Sequence, residues 1–255
     1  MLNYSQVAAL LLVFTRVSTF LGAGPLFWLP GVPGLVKIGV SFAVVLVLFP
    51  VIPVPSLDFP GGLWGLGLIL VQEAGTGLLL GFICSLVFHS LTVAGQLMDI
   101  QMGFFMSHIF DPTTGTQATI VSRFLFLLGI VLFLTIDGHH VMFAGLARSY
   151  ELVPVAGAVL KGVTAGTVIR TFTQMISLAV QIAAPVVAVI LIIDICLGLL
   201  GRTAPEMNIF MLGFPIKVGL GIFILSVMVP LLGVVFRSMV RMMEHDLFMV
   251  MKGLS

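Results

Sequence analysis

Long apolar runs separated by short polar stretches set the rhythm of this chain. They fall at about 5–22, 38–57, 64–98, 118–136, 171–200 and 216–236, and each is near or above the roughly 20 residues that cross a bilayer as a helix. The pattern predicts an all-α, membrane-associated protein, in its simplest form six transmembrane helices. Two runs do not fit that form. The third has about 35 residues and the fifth about 30, so as helices they would measure roughly 50 and 45 Å against a hydrocarbon core of about 30 Å. Tilt absorbs part of the excess but not all of it.

The stretch 137–171 is the longest polar connection and carries Asp137, His139, His140, Arg148, Glu151, Lys161 and Arg170. It divides the sequence into an N-terminal part, 1–165, and a C-terminal part, 166–255. Pro185 and Pro230 interrupt the fifth and sixth runs and predict kinks there. Gly75, Gly77 and Gly81 share one region of the third run, where small residues let helix backbones approach each other.

Composition fixes the solvent. Of 255 residues, 60% are hydrophobic and 8% charged, with a mean hydropathy of +1.25. Soluble domains carry about 25% charged residues, so this chain needs lipid or equally apolar partners around it. A net charge of +1 leaves no basic surface for nucleic acid. Cys84 and Cys196 lie far apart in apolar runs and read as small buried hydrophobes, not a disulfide or metal pair. The start, Met1 to Gln6, lacks a basic segment, and Arg16 interrupts the apolar run behind it, unlike a cleaved signal peptide. If both termini share a side, that side collects Arg148, Lys161, Arg170, Arg237, Arg241 and Lys252. The other side holds Lys37, Arg123, Arg202 and Lys217. The bias is too even to set a topology.

Arg16, Glu73, Asp99, Arg123, Asp194 and Lys217 fall within or beside apolar runs. Each costs about 2.5–3.5 kcal/mol at a bilayer centre. Such charges pair with partner helices and fix subunit register, or they form a proton or substrate relay. No nucleophile elbow, zincin helix or phosphate-binding glycine loop is present in the sequence. Asp137-Gly138 reads as a helix C-terminus with a glycine stop. The neighbouring His139 and His140 point to different faces of a helix and make a poor chelate. No catalytic, cofactor-binding or metal-binding residue is assigned, and no cofactor is expected. The tail from Arg237 to Lys252 is amphipathic: Arg237, Arg241, Glu244, His245 and Lys252 share one face, and a methionine-rich face covers much of the rest.

One stretch belongs to neither flanking run. "MGFFMSHIFDPTTGTQAT", residues 102–119, opens on bulky Met102, Phe104, Phe105 and Met106 and turns through Asp111-Pro112-Thr113-Thr114-Gly115. A simple connector needs no such side chains. This stretch, preceded by Asp99, carries a resemblance together with "LGLLGRTAPEMNIFMLGFPIKVGLG", residues 197–221. There Arg202, Pro205, Glu206-Met207-Asn208, Phe210 and Gly213-Phe214-Pro215 occur in order. The sequence resembles the FliR/SctT export-gate family of bacterial type III secretion systems, on its flagellar side, over essentially its whole length.

The resemblance implies a fold of long, kinked helical hairpins, with a FliP-like N-terminal part (1–165) fused to a FliQ-like C-terminal hairpin (166–255). It implies a non-enzymatic core subunit that closes a helical assembly with FliP-like and FliQ-like subunits, in contact with FlhB-like and FlhA-like components and with membrane lipid. It places the chain in the inner membrane at the flagellar basal body, with the assembly largely lifted out of the bilayer plane. In the family the loop after the third run projects into the pore and helps to plug it. That gives Met102, Phe104, Phe105, Met106, Phe110, Asp111 and Pro112 a role in sealing a path for unfolded export substrates. Arg202, Pro205, Glu206 and Asn208 form the hairpin turn, which is expected to dock a partner such as an FlhB-like component; Arg202 and Glu206 are spaced to pair. Arg16, Glu73, Asp99, Asp194 and Lys217 are expected as buried or inter-subunit charges. The rival reading is a secondary transporter of small solutes or ions that uses Glu73, Asp99 and Asp194 as a coupling relay. The unequal halves of the chain count against it.

Overall fold

A computed structural model describes residues 4–28, 32–52, 63–104, 119–159, 162–204, 206 and 208–255. Among these residues there is no strand, and seven α-helices follow in order. They are α1 (Tyr4–Ala23), α2 (Gly34–Leu48), α3 (Leu63–Met102), α4 (Ile120–Thr135), α5 (Gly138–Leu152), α6 (Gly162–Thr203) and α7 (Ile209–Leu254), with a short 3-10 turn at Pro25–Trp28 after α1. The all-α, membrane-type reading holds: α3, α6 and α7 are each long and apolar enough to cross a membrane.

The long helices exceed even the sequence expectation. At 40, 42 and 46 residues, α3, α6 and α7 run roughly 60–70 Å, about twice a hydrocarbon core. Pro185 lies inside α6, and Pro215 and Pro230 lie inside α7. Each removes one backbone hydrogen bond without ending its helix.

The polar stretch 137–171 is not a plain connection. Residues 138–152 fold as α5, whose Met142, Leu146, Ser149 and Tyr150 are buried at the spacing of a single helical face. A search for 20-residue apolar runs misses such a helix because its other face is polar. The stop falls one residue earlier than the glycine suggests. Asp137 itself takes the left-handed conformation, φ 57° and ψ 27°, and Gly138 opens α5. Aspartate tolerates that region better than most residues.

The described chain folds as two compact units, each drawn from separate parts of the sequence. The first contains 1–87, 137–172 and 240–255; the second contains 88–136 and 173–239. In the first, α1 and α3 touch backbone to backbone. A Cβ on Gly77 would collide with Arg16 O and Thr19 Oγ1, and one on Gly81 with Phe20 O. Gly77 and Gly81 thus mark the seat of α1, whereas Gly75 is exposed with nothing near the place of its Cβ. The C-terminal tail also follows its pattern. Arg237, Arg241, Glu244, His245 and Lys252 are exposed, while Met243, Leu247 and Met251 are buried. In this unit Leu247 reaches Gly145 of α5.

The second unit is built around Phe88. Its ring meets Phe126, Phe133 and Phe236 edge-on at centroid distances of 6.2, 5.2 and 5.9 Å, an arrangement that satisfies ring quadrupoles as well as burying area. Both cysteines are free, and Cys84 is buried as expected, but Cys196 is exposed on α6. The correction has a physical cause: α6 packs only part of its apolar surface within the chain.

The loop base and the charges around it

The candidate site is the base of the 103–118 segment, built from the end of α3, the start of α4 and the first turns of α7. At the end of α3, Gly103 adopts φ +87°. The Phe104 amide donates to the Asp99 carbonyl at 3.0 Å and the Gly103 amide to that of Ile100 at 3.3 Å. This is the Schellman closure of a helix, with glycine at the left-handed position where a Cβ would be penalised.

The same Asp99 starts the next helix. Thr119 precedes α4 but makes no side-chain cap, and its hydroxyl is buried without a partner among the described residues. The Asp99 carboxylate takes its place, accepting the Val121 amide at 3.1 Å and the Ser122 amide at 3.0 Å. These are the second and third amides of α4, the donors an N-cap serves, and the negative charge sits favourably at a helix N-terminus. Ser122 Oγ donates to the Thr92 carbonyl at 3.0 Å. Gly95 permits the approach, since a Cβ there would strike the Ser122 backbone. One buried residue therefore closes α3 with its carbonyl and opens α4 with its carboxylate.

The approach residues divide. Met102 is fully buried, with its side chain where a Cβ on Gly221 of α7 would lie. Phe104 is half-buried, its ring 6.5 Å from that of Phe214 at 85°. Phe105, Met106, Phe110, Asp111 and Pro112 lie outside the described residues.

Of the other expected charges, Arg16 and Glu73 are both fully buried in the first unit and bind each other. Arg16 donates Nε to Glu73 Oε2 at 2.5 Å and Nη2 to Oε1 at 2.8 Å. Its Nη1 donates to the Val153 carbonyl at 2.9 Å, and its guanidinium carbon lies 4.4 Å over the Tyr150 ring. Glu73 also accepts the Ala156 amide at 2.9 Å. The pair thus joins α1, α3 and the turn that ends α5, with its lone pairs and donors used, as a buried pair requires. In the second unit Asp194 of α6 pairs with Lys217 of α7; their side chains are 39% and 25% exposed. Arg123 is exposed.

The described residues of the hairpin turn are largely exposed. Arg202 and Glu206 are exposed, and no ion pair joins them, because α6 ends at Thr203 and the four-residue helical spacing is broken. Asn208 precedes α7 and its Oδ1 accepts the Met211 amide at 3.4 Å. The backbone of Pro205 lies outside the described residues.

The sequence singled out Asp99 as a costly charge but carried no signal of its double role, because its partners stand 22 and 23 residues away. Phe214 and Gly221 stand in the 197–221 stretch, where nothing in the sequence names Phe104 and Met102 as what they meet. Tyr150 belongs to the helix that was missed, and the Val153 carbonyl that receives Arg16 lies in the turn that ends it.

Residues 7–243 match the family described as "Bacterial export proteins, family 1". The chain is similar to the flagellar biosynthetic protein FliR of Bacillus subtilis (strain 168), 32% identical over 234 residues that cover 90% of this chain and 89% of that protein. It is 32% identical to FliR of Pectobacterium carotovorum subsp. carotovorum over 221 residues, 86% of this chain and 83% of the relative. With FliR of Caulobacter vibrioides it shares 30% over 236 residues, 92% and 94% of the two chains. The chain belongs to the bacterial export proteins of family 1, as a helical, membrane-type component of the flagellar export apparatus.

Proposed function

We propose that the chain is a non-enzymatic core subunit of the flagellar type III protein-export gate, closing a helical assembly with FliP-like and FliQ-like subunits and supplying part of the pore and its plug. The observation that carries this reading is the pinned base of the 103–118 segment. Asp99 holds the exit of α3 and the entry of α4 together, so the intervening residues leave and re-enter the fold at one point. A segment rooted in this way, rich in phenylalanine and methionine, suits a seal that excludes water by dewetting and yields to an unfolded chain. Met102 serves as its root, and Phe104, Phe105, Met106 and Phe110 as the sealing side chains, with Asp111-Pro112 at the turn.

The surface of the long helices supports an assembled state. Within its most apolar stretch α3 is 67% buried, whereas α6 is 22% and α7 17% buried. Apolar surface on that scale needs partner helices or lipid. In this reading residues 1–165 are the FliP-like part and 166–255 the FliQ-like hairpin. The exposed turn at Arg202, Glu206 and Asn208 docks an FlhB-like component, an FlhA-like component lies nearby, and the gate sits at the inner membrane.

The transporter reading is weakened by the same geometry. Glu73, Asp99 and Asp194 each have partners in the chain, so none is held in reserve for a coupling ion. Purification in mild detergent separates the two. Co-expression with FliP-like and FliQ-like subunits should raise the yield sharply and give a stable complex. A monodisperse chain that is equally abundant alone and moves a small solute would overturn the gate.

A further inference from the structure

Asp137, His139 and His140 stand at the break between α4 and α5, apart from the loop base. Sequence spacing argued that adjacent imidazoles diverge, and the structure brings them together. The rings of His139 and His140 lie 4.2 Å apart, centroid to centroid, with 39° between their planes. The Asp137 carboxylate reaches to 3.6 Å from His140 Nδ1. One donor atom from each of the three residues falls within 4.8 Å of the others. Nδ1 of His139 is buried without a hydrogen-bond partner among the described residues, while the side chains of His140 and Asp137 are 73% and 72% exposed.

We propose that these three residues bind one divalent transition-metal ion of the borderline class, Zn2+, Co2+ or Ni2+. Two imidazoles and one carboxylate suit that class, whereas Mg2+ and Ca2+ prefer shells of oxygen. Bonds of about 2.1 Å at a tetrahedral angle set donor atoms about 3.4 Å apart. The present spread closes to that by side-chain rotation, for which the exposed Asp137 and His140 have room. Water completes the shell on the open side. Because Asp137 makes the left-handed break and both histidines belong to the first turn beyond it, the ion ties the break residue to the helix it introduces. Its role is to fix the first turn of α5.

The test uses the full chain in mild detergent, purified through a tag free of histidine. Co2+ is titrated by its visible spectrum and Zn2+ by calorimetry. One ion per chain is expected, with affinity falling about tenfold or more in His139→Ala and in His140→Ala. Zn2+ should raise the melting temperature of the wild type and leave the double variant unmoved. Asp137→Asn keeps a residue that accepts the left-handed backbone and removes the charged ligand, so it should fold normally and bind more weakly. No binding by the wild type, or undiminished Zn2+ affinity in the double variant, overturns the proposal.

Discussion

Asp99 accepts the amide of Ser122 at 3.0 Å, and through it α3 caps α4 across a segment of the chain that both helices frame. Asp99→Ala leaves that amide and its Val121 neighbour buried and unpaired. The expected loss is about 2–3 kcal/mol, a cap together with two orphaned donors. Asp99→Asn keeps one acceptor oxygen and should lose about half as much. Thermal melting of the detergent-solubilised complex reads the difference. Equal melting of Asp99→Ala and wild type would show that other contacts hold the loop base.

The Arg16–Glu73 pair should be harder to break. Both side chains are fully buried, so removing either one leaves an uncompensated charge and should cost about 3–5 kcal/mol. Arg16→Lys should rescue little, because an ammonium cannot reproduce the two-pronged contact. The double variant Arg16→Met/Glu73→Leu should recover most of the stability lost in either single variant. A double variant no better than the singles would mean that the carbonyls around Arg16, not the ion pair, dominate the site.

These two clusters show where the sequence was readable. Run lengths predicted long helices, and Gly77 and Gly81, though not Gly75, marked a close helix contact, because both signals are local. Arg16, Glu73 and Asp99 stood out because charge in an apolar run is expensive. Their partners did not, since pairing across 57 residues or 22 residues is a property of the fold. Helix α5 escaped because amphipathic periodicity over 15 residues is weaker than an unbroken apolar run. The rings of His139 and His140 lie together, where the sequence set them on different faces, because a helix begins there.

The hairpin turn offers a surface test. Glu206 is exposed and unpaired with Arg202, so Glu206→Lys should leave gate assembly intact, with a stability change of about 0.5 kcal/mol or less. It should lower export of flagellar substrates by more than it lowers assembly. Complexes that fail to assemble with Glu206→Lys would make the residue structural and remove the docking role.

The seal itself is tested by deleting residues 106–116. Because Asp99 binds the two flanking helices directly to each other, the deletion should spare α3, α4 and assembly with partner subunits. Phe105→Gly or Met106→Gly should weaken the dewetted constriction more mildly. The measurement is small-ion or small-solute permeability of the inner membrane while export is idle. The deletion should leak, and only when the partner subunits are present, because one chain cannot enclose a pore. An assembled deletion complex as tight as wild type would contradict the plug and place the seal on another subunit.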